Sequence, residues 1–366
     1  MKKYIIFSLY FLTFLGLINF SFAQTSSKKP PFTLVEAKLP QKAQYVITLS
    51  PYILYSCNYQ ISKNLGFTLT DFREENGGIY LSLNVRNNTK NKITLVRDYE
   101  ILGETEKKPF NVYLISNEGN FYLASNVENS ITLNPGEIKK INLEFDNAQT
   151  ENYFFLIFNI DPRNVTKVGC DFVTLAGPFY LPGAKYLVPN KKISYKVNQS
   201  FSPEELSEFL RFNVNKITAS KKGGFSMNLS VNLIRERKAG EGYYEFYFNA
   251  FRLPQKSSEI DKNYFEGYLL DNNGNFYLVV PKNFSNKIFY VDVKSKKVNF
   301  VEFTIIPNFI NGAEEFSLYL NSTSEAKDQN YYLDEIKKSL YPSFYPLVEI
   351  EEIKVPEKIT SYYIQE

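Results

Sequence analysis

The sequence predicts an all-β protein: two tandem antiparallel β-sandwiches from an internal duplication, with one or two short helices. Three observations lead there. The chain of 366 residues holds 28 Tyr and 32 Phe but no Trp, and aromatic and β-branched side chains favour half-buried strands. Several segments alternate apolar and polar residues, the period of a sheet covered on one face. An eleven-residue stretch is also written twice, as YLISNEGNFYL from Tyr113 to Leu123 and as YLLDNNGNFYL from Tyr268 to Leu278, with eight identical positions.

At the N-terminus, Lys2 and Lys3 precede an apolar run from Tyr4 to Phe20, and Ser21-Phe22-Ala23 follows. A charged start, an apolar core and small residues at the cleavage positions predict a signal peptide over residues 1–23, cut after Ala23. A retained anchor needs about 20 uninterrupted apolar residues, and this run is shorter. No Cys follows it to carry a lipid, and no later stretch is long enough to span a bilayer. The expectation is export, to the periplasm, the cell surface or the medium. Residues 24–38, rich in Ser, Lys and Pro, read as a flexible tether.

The first sandwich is expected over 39–180. Leu81, Leu83 and Val85 alternate there with Ser82, Asn84 and Arg86, and Ile141, Leu143 and Phe145 alternate with Asn142 and Glu144. The wholly apolar run Tyr153–Phe158 suits a central strand buried on both faces. Asn134-Pro135-Gly136 is a turn, with Pro preset for one central position and Gly free to take positive φ at the next.

The second sandwich is expected over 181–325, where Tyr244, Phe246 and Phe248 alternate with more polar neighbours. Its echoes follow the order of the first. Phe72-Arg73-Glu74 returns as Ile234-Arg235-Glu236, and KKINLEF (Lys139–Phe145) returns as KKVNFVEF (Lys296–Phe303) with one residue added. The added residue suggests a β-bulge. An ordered series of echoes implies a repeat unit of one domain's size.

Ser202-Pro203-Glu204-Glu205 reads as a cap, a first-turn Pro and a capping-box Glu, so an inserted helix is expected near 203–212. A second helix is expected near 328–340, ended by Pro342, and a strand over Leu347–Val355. Together these make 326–366 a C-terminal extension.

Composition limits the chemistry. The chain has no His, which removes His-based triads and imidazole metal sites. Cys57 and Cys170 are the two Cys, too few for a Cys-rich metal site. In an exported chain they suggest one disulfide; closing so long a loop would contribute about 4–5 kcal/mol in the chain-entropy model. A formal charge of +3, from 42 basic and 39 acidic residues, gives no overall electrostatic reason to expect nucleic acid. Ser324 and Lys327 have the spacing of a Ser–Lys pair, without a surrounding motif.

The copied stretch admits two readings. Asp271, Asn273 and Asn275 are oxygen-rich, which raises calcium. An EF-type loop needs Gly at its sixth position and Glu at its twelfth; counting from Asp271, Gly274 is fourth and Lys282 twelfth. The other reading is a hairpin turn. Gly119 and Gly274 supply positive φ, Asn117 and Asn272 bond their own backbone two residues on, and Phe-Tyr-Leu begins the return strand.

The pattern of apolar strand, Asn/Asp-x-x-Gly-x-x-Tyr, Leu-x-Pro-Gly-Glu and a strand ending in Phe resembles a family of bacterial secreted Ig-like β-sandwich domains of unknown function, related to the mycobacterial immunoprotective extracellular protein. The first copy matches at Asn117, Gly119, Tyr122, Leu133, Pro135, Gly136, Glu137 and Phe145. The second keeps Asp271, Gly274, Tyr277 and Phe303 and lacks the Leu-x-Pro-Gly-Glu turn. The resemblance implies an extracytoplasmic sandwich and carries no catalytic residues with it.

The functional expectation is a non-enzymatic structural, adhesion or interaction module of the cell envelope, without cofactor. Its partner would be an envelope protein or glycan rather than nucleic acid. Carbohydrate binding through surface tyrosines is one alternative. A carboxylate-based hydrolase is another.

Overall fold

A computed structural model describes residues 30–49, 65–96, 98–100, 107–109, 112–126, 130–160, 172–202, 210–233, 243–247, 267–282, 288–291, 299–310, 312–326, 347–356 and 359. Residues Phe32–Glu366 form one compact unit, and every named element in it is a β-strand in antiparallel pairing.

The first half begins with β1 (Phe32–Glu36), β2 (Gln41–Lys42), β3 (Tyr45–Leu49), β4 (Leu65–Glu75), β5 (Gly78–Asn87), β6 (Ile93–Val96) and β7 (Asp98–Glu100). It continues through β8 (Lys107–Pro109), β9 (Tyr113–Ser116), β10 (Phe121–Leu123), β11 (Ser130–Leu133), β12 (Ile138–Asp146), β13 (Tyr153–Ile160) and β14 (Phe172–Tyr180). The second half holds β15 (Lys185–Pro189), β16 (Ile193–Phe201), β17 (Leu210–Ser220), β18 (Gly224–Leu233), β19 (Tyr243–Tyr247) and β20 (Gly267–Asp271). It ends with β21 (Phe276–Pro281), β22 (Ile288–Val291), β23 (Asn299–Ile306), β24 (Glu315–Ala326) and β25 (Leu347–Lys354).

Two larger sheets carry the first half, beside the two-stranded β7–β8. One has the order β12-β5-β4-β2, the other β10-β9-β13-β14-β3 with β6 and β11 attached through β13. The β4–β5 hairpin closes over Asn76 and Gly77, both at positive φ. That matches the twist of a two-residue hairpin loop. Alternation then sets the faces. Leu81, Leu83, Leu143 and Phe145 point to a core shared with Phe154, Leu156 and Phe158 of β13. The other face of β13, Tyr153, Phe155 and Ile157, joins a second core made largely by the second half. All six residues are at most 1% exposed, so the central strand is buried on both sides as its unbroken apolar run predicts.

In the second half one sheet follows the path β16-β17-β18-β23-β21-β20-β24-β19-β22, with β25 on β24. The sheet curls back on itself. Gln199 of β16 accepts a hydrogen bond from the Lys354 amide and donates to the Glu352 carbonyl on β25.

The pairing order of the first half recurs in the second. β2-β4-β5-β12 has its parallel in β16-β17-β18-β23, and β10-β9-β13-β14 in β21-β20-β24-β25. The irregularities recur too. The β4–β5 register slips between Leu69 and Asp71, five pairs from Gly78, and the β17–β18 register slips between Val214 and Lys216 at the same distance from Gly224. β13 slips against β14 between Phe154 and Leu156, and β24 slips against β25 between Phe316 and Leu318. A bulge bends a strand at a chosen point, so matched bulges give the two halves matched curvature. The halves differ in places: Ala124, just after β10, meets Phe145 of β12 by an isolated bridge, whereas β21 and β23 form a ladder from Leu278 to Pro281, and β3 on β14 has no described counterpart on β25.

Several sequence expectations need correction. Residues 24–38 are not all tether: Phe32–Glu36 pairs with Lys185–Pro189, and Phe32 is 2% exposed and stacked on Phe225. One large apolar side chain with a place in the core outweighs a Ser/Lys/Pro-rich composition. The helix expected near 203–212 does not include 210–212: Leu210, Phe212 and Val214 alternate inward with Arg211 and Asn213 and open β17, and residues 203–209 lie outside the described residues.

Within the expected C-terminal extension, the strand expected over Leu347–Val355 is present as β25, Leu347–Lys354. It pairs with β24 and buries Ile350 and Ile353. The topological partner of the β4–β5 hairpin is β17–β18, not the segment around Ile234–Arg235–Glu236. Phe145 faces Ile79, the first residue after Gly78, and the residue in the same place in the second half is Ile305, facing Phe225, rather than Phe303. No bulge interrupts β23 in its described pairings. The expected signal peptide (1–23), the helix near 328–340, Cys57 and Cys170 lie outside the described residues.

Candidate functional site

The copied stretch forms the same hairpin twice. Phe121 faces Ile115 in β9–β10, and Phe276 faces Leu270 in β20–β21. Gly119 (φ 84°) donates its amide to the Ser116 carbonyl, and Gly274 (φ 80°) donates to the Asp271 carbonyl. The capping residue is the one before Asn. Ser116 Oγ accepts from the amides of Glu118 and Asn120, at 3.3 and 3.1 Å. Asp271 Oδ1 accepts from the amides of Asn273 and Asn275, both at 2.9 Å. Asn117 and Asn272, expected to cap their own turns, instead reach the segment that enters the next long strand. Asn117 Oδ1 accepts from Thr150 Oγ1 and the Glu151 amide, and Asn272 Oδ1 accepts from the amides of Glu314 and Glu315.

The two turns also meet. Asn117 Nδ2 donates to Asn275 Oδ1 at 3.1 Å, and Asn152 Nδ2 donates to the same oxygen at 3.0 Å. The Phe276 amide donates to the Asn117 carbonyl, and the Tyr153 hydroxyl donates to the Phe276 carbonyl. Asn117 and Asn275 are 2% and 1% exposed. Around them Tyr153, Tyr180, Tyr277 and Phe309 pack ring against ring. Tyr180 accepts from the Asn308 amide, and Tyr277 accepts from the Ile310 amide while donating to Asp271. Buried polar groups are stable when every one has a partner, and here the partners are drawn from both halves.

Asp271 is the charged member of this cluster. Its Oδ1 takes two amides, and its Oδ2 takes Asn275 Nδ2 and the Tyr277 hydroxyl at 2.8 and 2.9 Å. Burial pushes its carboxyl above the ordinary value against the pull of these four donors. Burial, and then the charge of Asp271, push the Tyr153 hydroxyl well up. Burial alone pushes Tyr113 to about 12.

The remaining expected sites fall as follows. Asp271, Asn273 and Asn275 do not converge as an oxygen cage: the Asp271 oxygens are filled by donors, Asn275 Oδ1 faces Asn117, and Asn273 Nδ2 donates to the Gly312 carbonyl. Among the described residues no group of three or more acidic or Cys side chains is placed to hold a metal. Pro135 and Gly136 make the expected turn, with Gly136 at φ 77° and the Glu137 amide donating to the Asn134 carbonyl. Where a Tyr side chain is described it is buried or half-buried, the side chains of Tyr99, Tyr243, Tyr244, Tyr247 and Tyr290 lying outside the description, and among the described residues the exposed large apolar ones are Leu123, Ile138 and Phe300. Lys327 and the side chain of Ser324 lie outside the description.

No protein-family model matches the chain, and no curated protein matches it. Among solved structures it is similar to the crystal structure of the conserved domain protein from Bacillus anthracis, at 10% identity and a TM-score of 0.22, over 75% of this chain and 81% of that one.

Proposed function

We propose that the protein is an exported, non-enzymatic component of the cell envelope. In this reading a duplicated Ig-like unit forms one stiff body that engages an envelope protein or glycan. The carrying observation is how the copied motif is used: its Asn, Asp and aromatic groups are spent on joining the two halves. The matched ladders and bulges support an origin by duplication, and the chain start at Lys2–Ala23 supports export. The absence of His from the sequence supports the non-enzymatic reading.

Fractionation of the cells that make the protein tests this. The expected result is a chain that starts after Ala23 and is recovered with the periplasm, the envelope or the medium. Full-length chain confined to the cytoplasm would contradict the proposal.

A further inference from the structure

We infer that the outer face of β16–β17 and its adjoining turns bind an anionic polysaccharide. This deepens the envelope reading and rests on it. The pairing of Ile193 with Ala219 and of Ser220 with Gly224 brings the turn at Lys191-Lys192 beside the turn at Lys221-Lys222. Lys196 and Lys216 continue the cluster and stand directly opposite one another on the ladder. All six lysines are exposed. Like charges facing each other across strands destabilise a sheet, and backbones there are only about 4.8 Å apart.

No Asp or Glu occurs among the described residues from 172 to 233, although the whole chain is almost balanced; Glu204, Glu205 and Glu208 lie outside the description. On the strand two places from β17, Glu302 accepts from Lys282 at 2.6 Å and lies close enough to Lys216 to offset part of its charge, which leaves the field strongest at the two lysine turns. The patch therefore carries a concentrated positive field suited to a polyanion.

The neighbouring groups select the class of polyanion. Beside the lysines the exposed Ser194 hydroxyl bonds the buried Thr218 hydroxyl, and half-buried Asn215 donates to Asn228; the remaining capacity of Ser194, Asn215 and Asn228 is of the hydroxyl and amide kind that suits sugar hydroxyls. Single-stranded nucleic acid is held by successive aromatic side chains set among the basic ones; among the described residues this face has one exposed aromatic, Phe300 on β23. No exposed apolar residue accompanies the lysines at the two turns to enter a lipid surface.

The test is binding of the purified protein to polygalacturonate, with neutral dextran, a single-stranded oligonucleotide and phosphatidylglycerol vesicles as comparison probes. The expected result is polygalacturonate binding that weakens with salt, without dextran binding. The Lys192→Glu/Lys221→Glu variant should lose about tenfold or more in affinity, and Lys90→Glu, in an exposed turn of the first half, should bind as wild type. Should the double reversal fail to fold, Lys192→Gln/Lys221→Gln carries the same expectation. Absence of polygalacturonate binding, equal binding by a folded double variant, or tighter binding to the oligonucleotide or the vesicles would overturn the inference. Loss of binding by a protein still found in the envelope sinks this inference alone, whereas a cytoplasmic location sinks the export reading.

Discussion

Asn117 and Asn275 are 158 residues apart in the chain and meet through one buried hydrogen bond of 3.1 Å. Each belongs to a copy of the same turn. Asn152, which donates to the same Asn275 oxygen, and the Tyr153 hydroxyl, which reaches the Phe276 carbonyl, make this contact part of a cross-half network. Repetition of the motif therefore does two jobs: it builds each hairpin and it builds the junction between them.

Asp271 gives the first prediction. Asp271→Asn should destabilise the fold by about 1–3 kcal/mol, because the new NH₂ group faces Asn275 Nδ2 and the Tyr277 hydroxyl, both of which need an acceptor. Urea midpoints measure this directly.

The same residue has a pH signature. Its folded pKa is raised above the ordinary value of 3.8, so the folded state takes up the proton first on acidification. Its stability contribution is full below the unfolded pKa and is lost as pH rises through the folded pKa. Relative to Asp271→Ser, which restores the first copy's capping group, the wild type should therefore gain stability as pH falls from neutral towards 3.8. Urea unfolding of both proteins across that range checks the sign.

Two glycines set backbone strain alone against strain with a collision. A Cβ on Gly274 (φ +80°) meets nothing within 4 Å, whereas a Cβ on Gly177 (φ +144°) lies 2.8 Å from the Phe155 ring. Gly274→Ala should cost about 1 kcal/mol through backbone strain. Gly177→Ala should cost more, because Phe155 is held between the two halves and has no free volume to give. Thermal unfolding of the two variants should rank them in that order.

Phe32 tests whether the N-terminal strand is structural. Phe32→Ala should cost about 3–5 kcal/mol, since the ring stacks on Phe225 and Tyr195. A true tether would tolerate the change without a shift in melting temperature.

Much of this was legible because it is local. Period-two alternation predicts the inward faces of β5 and β12, the unbroken run Tyr153–Phe158 predicts burial on both sides, and Pro135-Gly136 predicts its turn. The copied hairpin was legible as well, although its capping group is Ser116 or Asp271 rather than the Asn that follows. What the sequence hid is non-local. Nothing in either copy of the turn says that Asn117 will touch Asn275. Capping residues at 202–205 suggest a helix without revealing where β17 takes over. A nearly balanced total charge conceals the lysines around Lys192 and Lys221, which a count by segment would expose. Phe32 reads as tether until the core that receives it is known.

The central claim is that the copied turns lock the halves together, and a double-mutant cycle on Asn117→Ala and Asn275→Ala tests it most directly. Each single change removes bonds within its own half as well as the shared one, and the cycle isolates the shared term. Equilibrium urea unfolding should give a coupling of about 1 kcal/mol. Costs that add to within about 0.3 kcal/mol would mean that the two turns stabilise their own hairpins independently, and would contradict the junction.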